Sequence, residues 1–297
     1  MSNAMEWLQF VLAPQMINGL SIGVAVVLIA LGLTIIFGLL DVINMAHGEF
    51  YAIGAYLAVA LLATGMSFWW ALVLTPLLMA VLGFVTERGL IQRVFHSKDR
   101  HTLTLLLTFG VAVVLEDALK IAFGANPLRL EAPISGATEM LGLFFPNYRL
   151  FVMLFGGALI AAVWLLVFRT SLGAIVRAAA YDRNMSASLG VPVQLVYAGT
   201  FAFGVALAGI AGVLLAPIYS VFPTMGKDFV LIAFSVVIIG GMGSIKGALL
   251  AGLVLTQVQS ISSLYISPVW SDPLLFGIMV LVLMWRPQGL FGKLGSA

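Results

Sequence analysis

The chain has 297 residues, of which 62% are hydrophobic and only 9% charged, with 14 Lys and Arg against 12 Asp and Glu and no cysteine. A water-soluble domain carries about 25% charged residues, so this composition excludes a soluble enzyme or a soluble binding module. A net charge of +2 with no dense basic cluster excludes a nucleic-acid surface, and the lack of cysteine excludes disulfides and thiolate metal sites.

Met1–Ala4 has the character of an expression-tag remnant, which leaves 5–297 as a single transmembrane domain. No basic stretch precedes the first apolar run, so no cleavable signal is expected. A helix needs roughly 20 apolar residues to cross the hydrocarbon core. Apolar runs of that kind extend from Trp7 to Leu40 and from Phe50 to Thr86, the second holding two spans around a turn at Gly65-Met66-Ser67. Further runs cover His101 to about Phe123, Leu150 to Phe168, Val193 to Pro217, Phe229 to Ile245 and Gly247 to Ser271, and a short one ends the chain between Asp272 and Arg286. Backbone polar groups in lipid must bond within their own segment, and the short alternating segments of a membrane barrel are absent. The expectation is therefore an all-α polytopic membrane protein with about eight to nine transmembrane helices.

Basic residues gather in Glu87–His101 (Arg88, Arg93, Lys98, Arg100), in Arg169–Pro192 (Arg169, Arg177, Arg183) and in the tail (Arg286, Lys293). Counting spans puts all three on one side, which the excess of Lys and Arg in cytoplasmic loops makes the inner side. The N-terminus and Gly124–Tyr148 then face outward, the latter expected as a short ordered loop. Gly32–Gly38 leads to Met45 and a new span, and Gly209–Gly212 leads to Met225 and a new span, in oppositely oriented halves. That is the pattern of a weak inverted repeat.

Polar residues inside this apolar background are the candidates for function. Asp41, Asn44, His47 and Glu49 lie between two long spans. They read either as a cytoplasmic turn, with Asp41 or Asn44 capping the next helix and Glu49 near its N-terminus, or as groups facing protein or water inside the membrane. Gly240, Gly241 and Gly243 interrupt an apolar segment without the spacing of a phosphate loop. They read as a close helix contact or as a discontinuous helix lining a pathway. Glu116 and Lys120 have the spacing of a helix ion pair near the outer face. Residues from about Ile175 to Leu189 read as one short helix ended by Gly190 and Pro192.

The run Asn44-Met45-Ala46-His47-Gly48-Glu49, followed by Gly54-Ala55-Tyr56, resembles the LivH-type permeases of branched-chain amino acid ABC transporters. Ile238–Ala248, with its Gly240-Gly241-Met242-Gly243 core, and Arg286-Pro287-Gln288-Gly289-Leu290-Phe291-Gly292 extend the resemblance over nearly the whole chain. The resemblance implies a permease of the bacterial inner membrane, paired with a LivM-type second permease, two ABC ATPases and an external substrate-binding protein. It implies ATP and Mg on the ATPases, no cofactor in this chain, and leucine, isoleucine and valine as cargo, with urea, short amides or aromatic acids moved by related chains. It also implies a coupling helix that docks on an ATPase, with Arg177, Ala179, Asp182, Ala187 and Gly190 as candidates, although Arg177-Ala178 stands where the usual form has an acidic residue. Asn44, His47, Glu49, Gly240, Gly241 and Gly243 become pathway or gating candidates, and a cargo site would be apolar, at mid-membrane, and lined from the second span and the glycine-broken one. Arg129, Glu131 and Glu139 become docking candidates for the binding protein. An independent ion-coupled carrier is the competing reading. It needs ionisable groups well inside spans, whereas most charges here fall at span ends. A membrane enzyme using His47, Glu49 and Asp41 lacks a nucleophile or metal-ligand spacing.

Overall fold

The computed structural model describes residues 7–95, 97–140, 143–267 and 270–292. The tag expected at Met1–Ala4 and Lys293 of the tail lie outside these residues. The chain enters through a π-helical turn, Leu8–Leu12, and Pro14 sits in the first turn of α1 (Ala13–Leu40), where its missing N–H is no loss. α2 (His47–Ala63) and α3 (Phe68–Thr86) follow, with Gly65 in the left-handed turn between them. α3 is prolonged by a π-helical turn, Glu87–Ile91, and by Gln92–Val94. Next come α4 (Arg100–Phe123), a hairpin of β1 (Ala137–Met140) and β2 (Leu143–Pro146), and α5 (Asn147–Arg169). Two short helices, α6 (Ser171–Tyr181) and α7 (Arg183–Ser188), lead to α8 (Val193–Leu215). α9 (Met225–Gly240), α10 (Ile245–Ser262) and α11 (Ser271–Trp285) complete the chain.

Six helices among the described residues are long and apolar enough to cross a membrane: α1, α3 with its extension, α4, α5, α8 and α10. α2, α9 and α11 are shorter, at 17, 16 and 15 residues. The fold is thus helical, with one small antiparallel hairpin in the stretch expected as a short ordered loop.

Helices α1 and α8 form the centre. Every side chain from Val24 to Ile36 of α1 is buried or nearly so, as expected for a helix that is apolar all round. α10, α8 and α5 pack around α1, while α2 and α3 pack on α8. Glycines permit the crossings, because in lipid the approach of backbones replaces the hydrophobic drive of water. A Cβ on Gly32 of α1 would fall 2.5 Å from the Gly204 carbonyl of α8, and a Cβ on Gly54 of α2 would fall 2.5 Å from the Gly209 Cα. Helices α4 and α5 lie at the rim and expose apolar side chains such as Phe109, Val114, Leu154 and Leu165.

The bundle has two distinct ends. At one, Asp41 pairs with Arg100, Gly38 lies against Gly243, and Arg183 stacks over Phe95 and Tyr197. At the other, Gln15 bonds Ser263, Leu128 and Val221 form an isolated antiparallel bridge, and the Tyr148 hydroxyl donates to the Leu214 carbonyl.

Candidate functional site

The segment after α1 does not form a surface turn. Asp41 closes α1 in the left-handed conformation (φ 54°), which Asp tolerates better than most residues. Its carboxylate reaches Arg100 at 3.2 Å and His101 at 3.5 Å. From there the chain runs back along the bundle. Thr108 of α4 holds it, accepting from the Met45 N–H (3.2 Å) and donating to the Ile43 carbonyl (3.3 Å). Asn44 Oδ1 accepts from the Ala46 N–H at 3.1 Å, a local turn just ahead of α2; the N-cap position itself is Ala46 with no side-chain cap, so neither Asp41 nor Asn44 caps the helix as expected. His47 Nε2–H then donates to the Ile29 carbonyl at 3.0 Å. By helical rise that carbonyl is ~16 Å inside the end of α1. Asn44, His47 and Glu49 are all buried. The cytoplasmic-turn reading is corrected accordingly: Gly32 leaves room for His47 and Gly226 for Glu49 as this polar stretch sinks between helices.

The start of α2 meets the start of α9. The Gly48 Cα faces the Gly226 carbonyl, and a Cβ on Gly226 would fall 2.6 Å from the Glu49 carboxyl carbon. Beside them Glu116 of α4 bridges Lys120 (2.7 Å) and Lys227 of α9 (2.6 Å), with Asp117 on Lys120 at 3.2 Å. Glu116 is 5% exposed, whereas Lys120 and Lys227 are 40% and 59% exposed. Glu49 lies in the field of Glu116, Lys120 and Lys227, and its Oε2 is buried with no hydrogen-bond partner among the described residues. The expected Glu116–Lys120 pair is present. Lys227 went unrecognised because the apolar run was read from Phe229; a Lys-Asp pair just ahead of that run was the available signal.

The glycine candidates lie elsewhere. Gly240 ends α9 at the opposite end from Glu49, and Gly241 (φ 100°) and Gly243 (φ 79°) make the turn into α10. Gly240 packs on Gly247, and the tail clamps the turn: the Leu290 N–H donates to Ile239 and the Phe291 N–H to Gly240. Two runs far apart in sequence, Ile238–Ala248 and Arg286–Gly292, thus form one contact. The structure does not bring it together with Asn44, His47 and Glu49.

The expected single helix from Ile175 to Leu189 is two helices. Asp182 breaks it by capping α7, its Oδ1 accepting from the Met185 N–H at 2.9 Å, and Thr170 caps α6 on the Gly173 N–H. Arg177 donates to the Val167 carbonyl and stacks on Phe168, and Ala179 is buried, so both are occupied within the chain. Ala187 and Gly190 (φ 85°) are exposed, as are Leu172, Met185, Leu189 and the almost fully bare Tyr181, at 96%. At the other end Arg129, Glu131 and Glu139 are exposed, the last on β1.

A cavity of ≈ 220 Å³ opens between α1, α5, α10 and the tail, lined by Leu31, Ile160, Trp164, Leu249 and Phe291 with Lys246 at its edge. It is apolar, but neither α2 nor α9 lines it, contrary to the expected cargo site. Among the described residues no three His, Asp or Glu side chains are grouped to hold a metal.

Comparison with known proteins places the arrangement. The family described as branched-chain amino acid transport system / permease component matches residues 15–283. The high-affinity branched-chain amino acid permease LivH of Salmonella typhimurium is 31% identical over 294 residues, covering 94% of this chain and 95% of that protein. BraD of Pseudomonas aeruginosa is 30% identical over 296 residues, with 94% and 95% covered. LivM of Escherichia coli is 28% identical over 291 residues, covering 89% of this chain and 67% of LivM. PsaBC from Streptococcus pneumoniae, solved in complex with Fab, superposes with a TM-score of 0.51 at 12% identity over 96% of this chain and 95% of that chain, a likeness of fold alone.

Proposed function

The chain belongs to the branched-chain amino acid transport system permease family, and we propose from that premise that it forms half of the pore of an ATP-binding-cassette importer. It is the membrane permease subunit and carries out no covalent chemistry of its own. The observation that carries this reading is the family match across residues 15–283, nearly the whole membrane-spanning chain. Branched-chain amino acids are the cargo, a LivM-type chain supplies the other half of the pore, two ATPases bind at the inner face, and a substrate-binding protein delivers at the outer face.

Residues 5–297 act as one domain with nine crossing helices, the six long ones plus α2, α9 and α11. The end carrying Arg88, Arg93, Arg100, Arg169, Arg177, Arg183 and Arg286 is cytoplasmic, with the N-terminus outside; the excess of basic residues there supports this orientation. An inverted repeat relates α1–α2 to α8–α9. In each pair a long central helix is followed by a segment that folds back to a shorter helix starting at mid-height, and the Gly48–Gly226 contact supports the relation.

The α6–α7 pair is the coupling element. Arg177, Ala179 and Asp182 shape it from within, while Ala187, Gly190, Tyr181, Met185 and Leu189 present its free surface. ATPase closure moves this pair, and α5 and α8, joined to it directly, transmit the motion. Asn44, His47 and Glu49 act in the gate at the meeting of α2 and α9. Gly240, Gly241 and Gly243 hold the α9–α10–tail joint as it moves. Arg129, Glu131 and Glu139 steer the binding protein. A Met185→Cys variant in the assembled transporter should crosslink to an ATPase, at a yield that changes between ATP-bound and nucleotide-free states; failure to crosslink in either state overturns the coupling role.

A further inference from the structure

The charged ledge of Glu116, Lys120 and Lys227 has an unusual position. Lys227 lies ~20 Å by helical rise from the far end of α9, and Glu116 ~24 Å from the start of α4. From the outer end of α4, however, Glu116 is only ~10 Å and Lys120 ~5 Å away, so the bridge sits towards the outer end of the bundle. Lys120, Lys227 and Asp117 expose 40%, 59% and 60% of their side chains. The rim on other sides is different: α3 shows Val73, Leu77 and Val81, and α5 shows Leu154 and Leu165. Ionisable groups within a span face protein or water because hydrocarbon penalises them by several kcal/mol. The cluster of charged side chains sets the face made by α4, the start of α2 and α9 apart from those rims, although Val114 and Ile121 of α4 are exposed beside it.

Given the permease role above, we propose that this face borders the translocation pathway and that the ledge is a station for the zwitterionic head of the amino acid. The charge inventory matches such a guest. Buried Glu116 and Glu49 present carboxylates, and Glu49 Oε2 has no hydrogen-bond partner among the described residues. Lys227 presents an exposed ammonium. The guest's ammonium takes a carboxylate and its carboxylate takes Lys227, so ion pairs are exchanged without leaving a buried charge uncompensated. Four residues further along the same face of α9, Leu231 is 47% exposed. It continues into a narrow groove between α9 and α11 lined by Leu231, Ile232, Leu275 and Phe276, with Ser235 and, at the end next to Lys227, Asp228. An apolar wall next to a charge-paired ledge fits an amino acid with an aliphatic side chain.

The native chain has no cysteine, which makes thiol accessibility a direct test. The transporter, with its other subunits free of accessible thiols, is placed in nanodiscs carrying Leu231→Cys, Lys227→Cys or, as the lipid-facing control, Leu154→Cys. A membrane-impermeant sulfonated methanethiosulfonate needs an ionised thiol, so Leu231→Cys should react at least about tenfold faster than Leu154→Cys. Leucine-loaded binding protein with ATP should change that rate, and labelling Leu231→Cys should block uptake, with Lys227→Cys read for accessibility alone. Glu116→Gln should lower leucine uptake at least roughly tenfold, as expected for loss of a charged hydrogen bond, with Lys227→Arg retaining more uptake than Lys227→Gln. Leu231→Cys as inert as Leu154→Cys, or wild-type uptake by both Glu116→Gln and Lys227→Gln, overturns the station. ATP-driven uptake by the unsubstituted complex is measured first: its absence counts against the permease role, whereas its presence with an inert Leu231→Cys counts only against this assignment of the pathway.

Discussion

At the scale of single residues, glycine does what side chains do elsewhere. Gly54 lets α2 approach α8 so closely that a Cβ would stand 2.5 Å from the Gly209 backbone, whereas a Cβ on Gly157 would meet open space. Backbone cannot yield as a side-chain tip can. Gly54→Ala should therefore destabilise the detergent-solubilised protein by about 1–3 kcal/mol, in the range of overpacked cores. Gly157→Ala should leave it unchanged or slightly firmer, since alanine is the better helix former. Thermal unfolding of the two variants side by side tests this; equal melting temperatures would show that the crossing is looser than described. The same scale explains what was hard to read in advance. Asn44, His47 and Glu49 look like surface residues in sequence, yet all are buried, His47 against Gly32 and Glu49 against Gly226 on other helices. Partners so distant in the chain leave no local mark. Glu116–Lys120 was legible because its spacing is local; Lys227, its partner on α9, was not.

At the scale of elements, helices bounded by charge were the readable ones. α5 ends at Arg169 and α8 starts after Pro192, and both match the apolar runs to within a few residues. The α6–α7 pair was read as one helix because its composition favours helix throughout. The break comes from one carboxylate, Asp182, which gains more by capping α7 than by continuing α6. Replacing it should loosen α7 by about 1 kcal/mol, the usual worth of such a cap. If α7 is a docking surface, Asp182→Ala should weaken coupling without disturbing the membrane core: ATP-dependent uptake falls while the melting temperature of the bundle stays within error. Leu189→Asp, at an exposed apolar position, should release the ATPase outright on size-exclusion chromatography. A complex that stays intact with Leu189→Asp would place the ATPase contact elsewhere. The glycine run at Gly240 reads either as a close helix contact or as a broken pathway helix; in the structure the tail closes on it at Ile239 and Gly240, between α9 and α10.

For the whole molecule, a largely apolar chain is arranged as a buried pair, α1 and α8, inside a rim of helices whose outer surface is apolar on most sides. One face carries the Glu116–Lys120–Lys227 cluster, and one end carries the basic loops and the exposed α6–α7 pair. In the proposed role, the apolar rim meets lipid and the exposed α6–α7 pair meets the ATPase that supplies the energy. Transport should accordingly depend on assembly. The most direct measurement is uptake of radiolabelled leucine into proteoliposomes containing this chain, its LivM-type partner and both ATPases, with binding protein outside and ATP inside. Accumulation that requires ATP, the binding protein and an intact α6–α7 surface is the predicted result. Accumulation by this chain alone, driven by an ion gradient and indifferent to ATP, would contradict it.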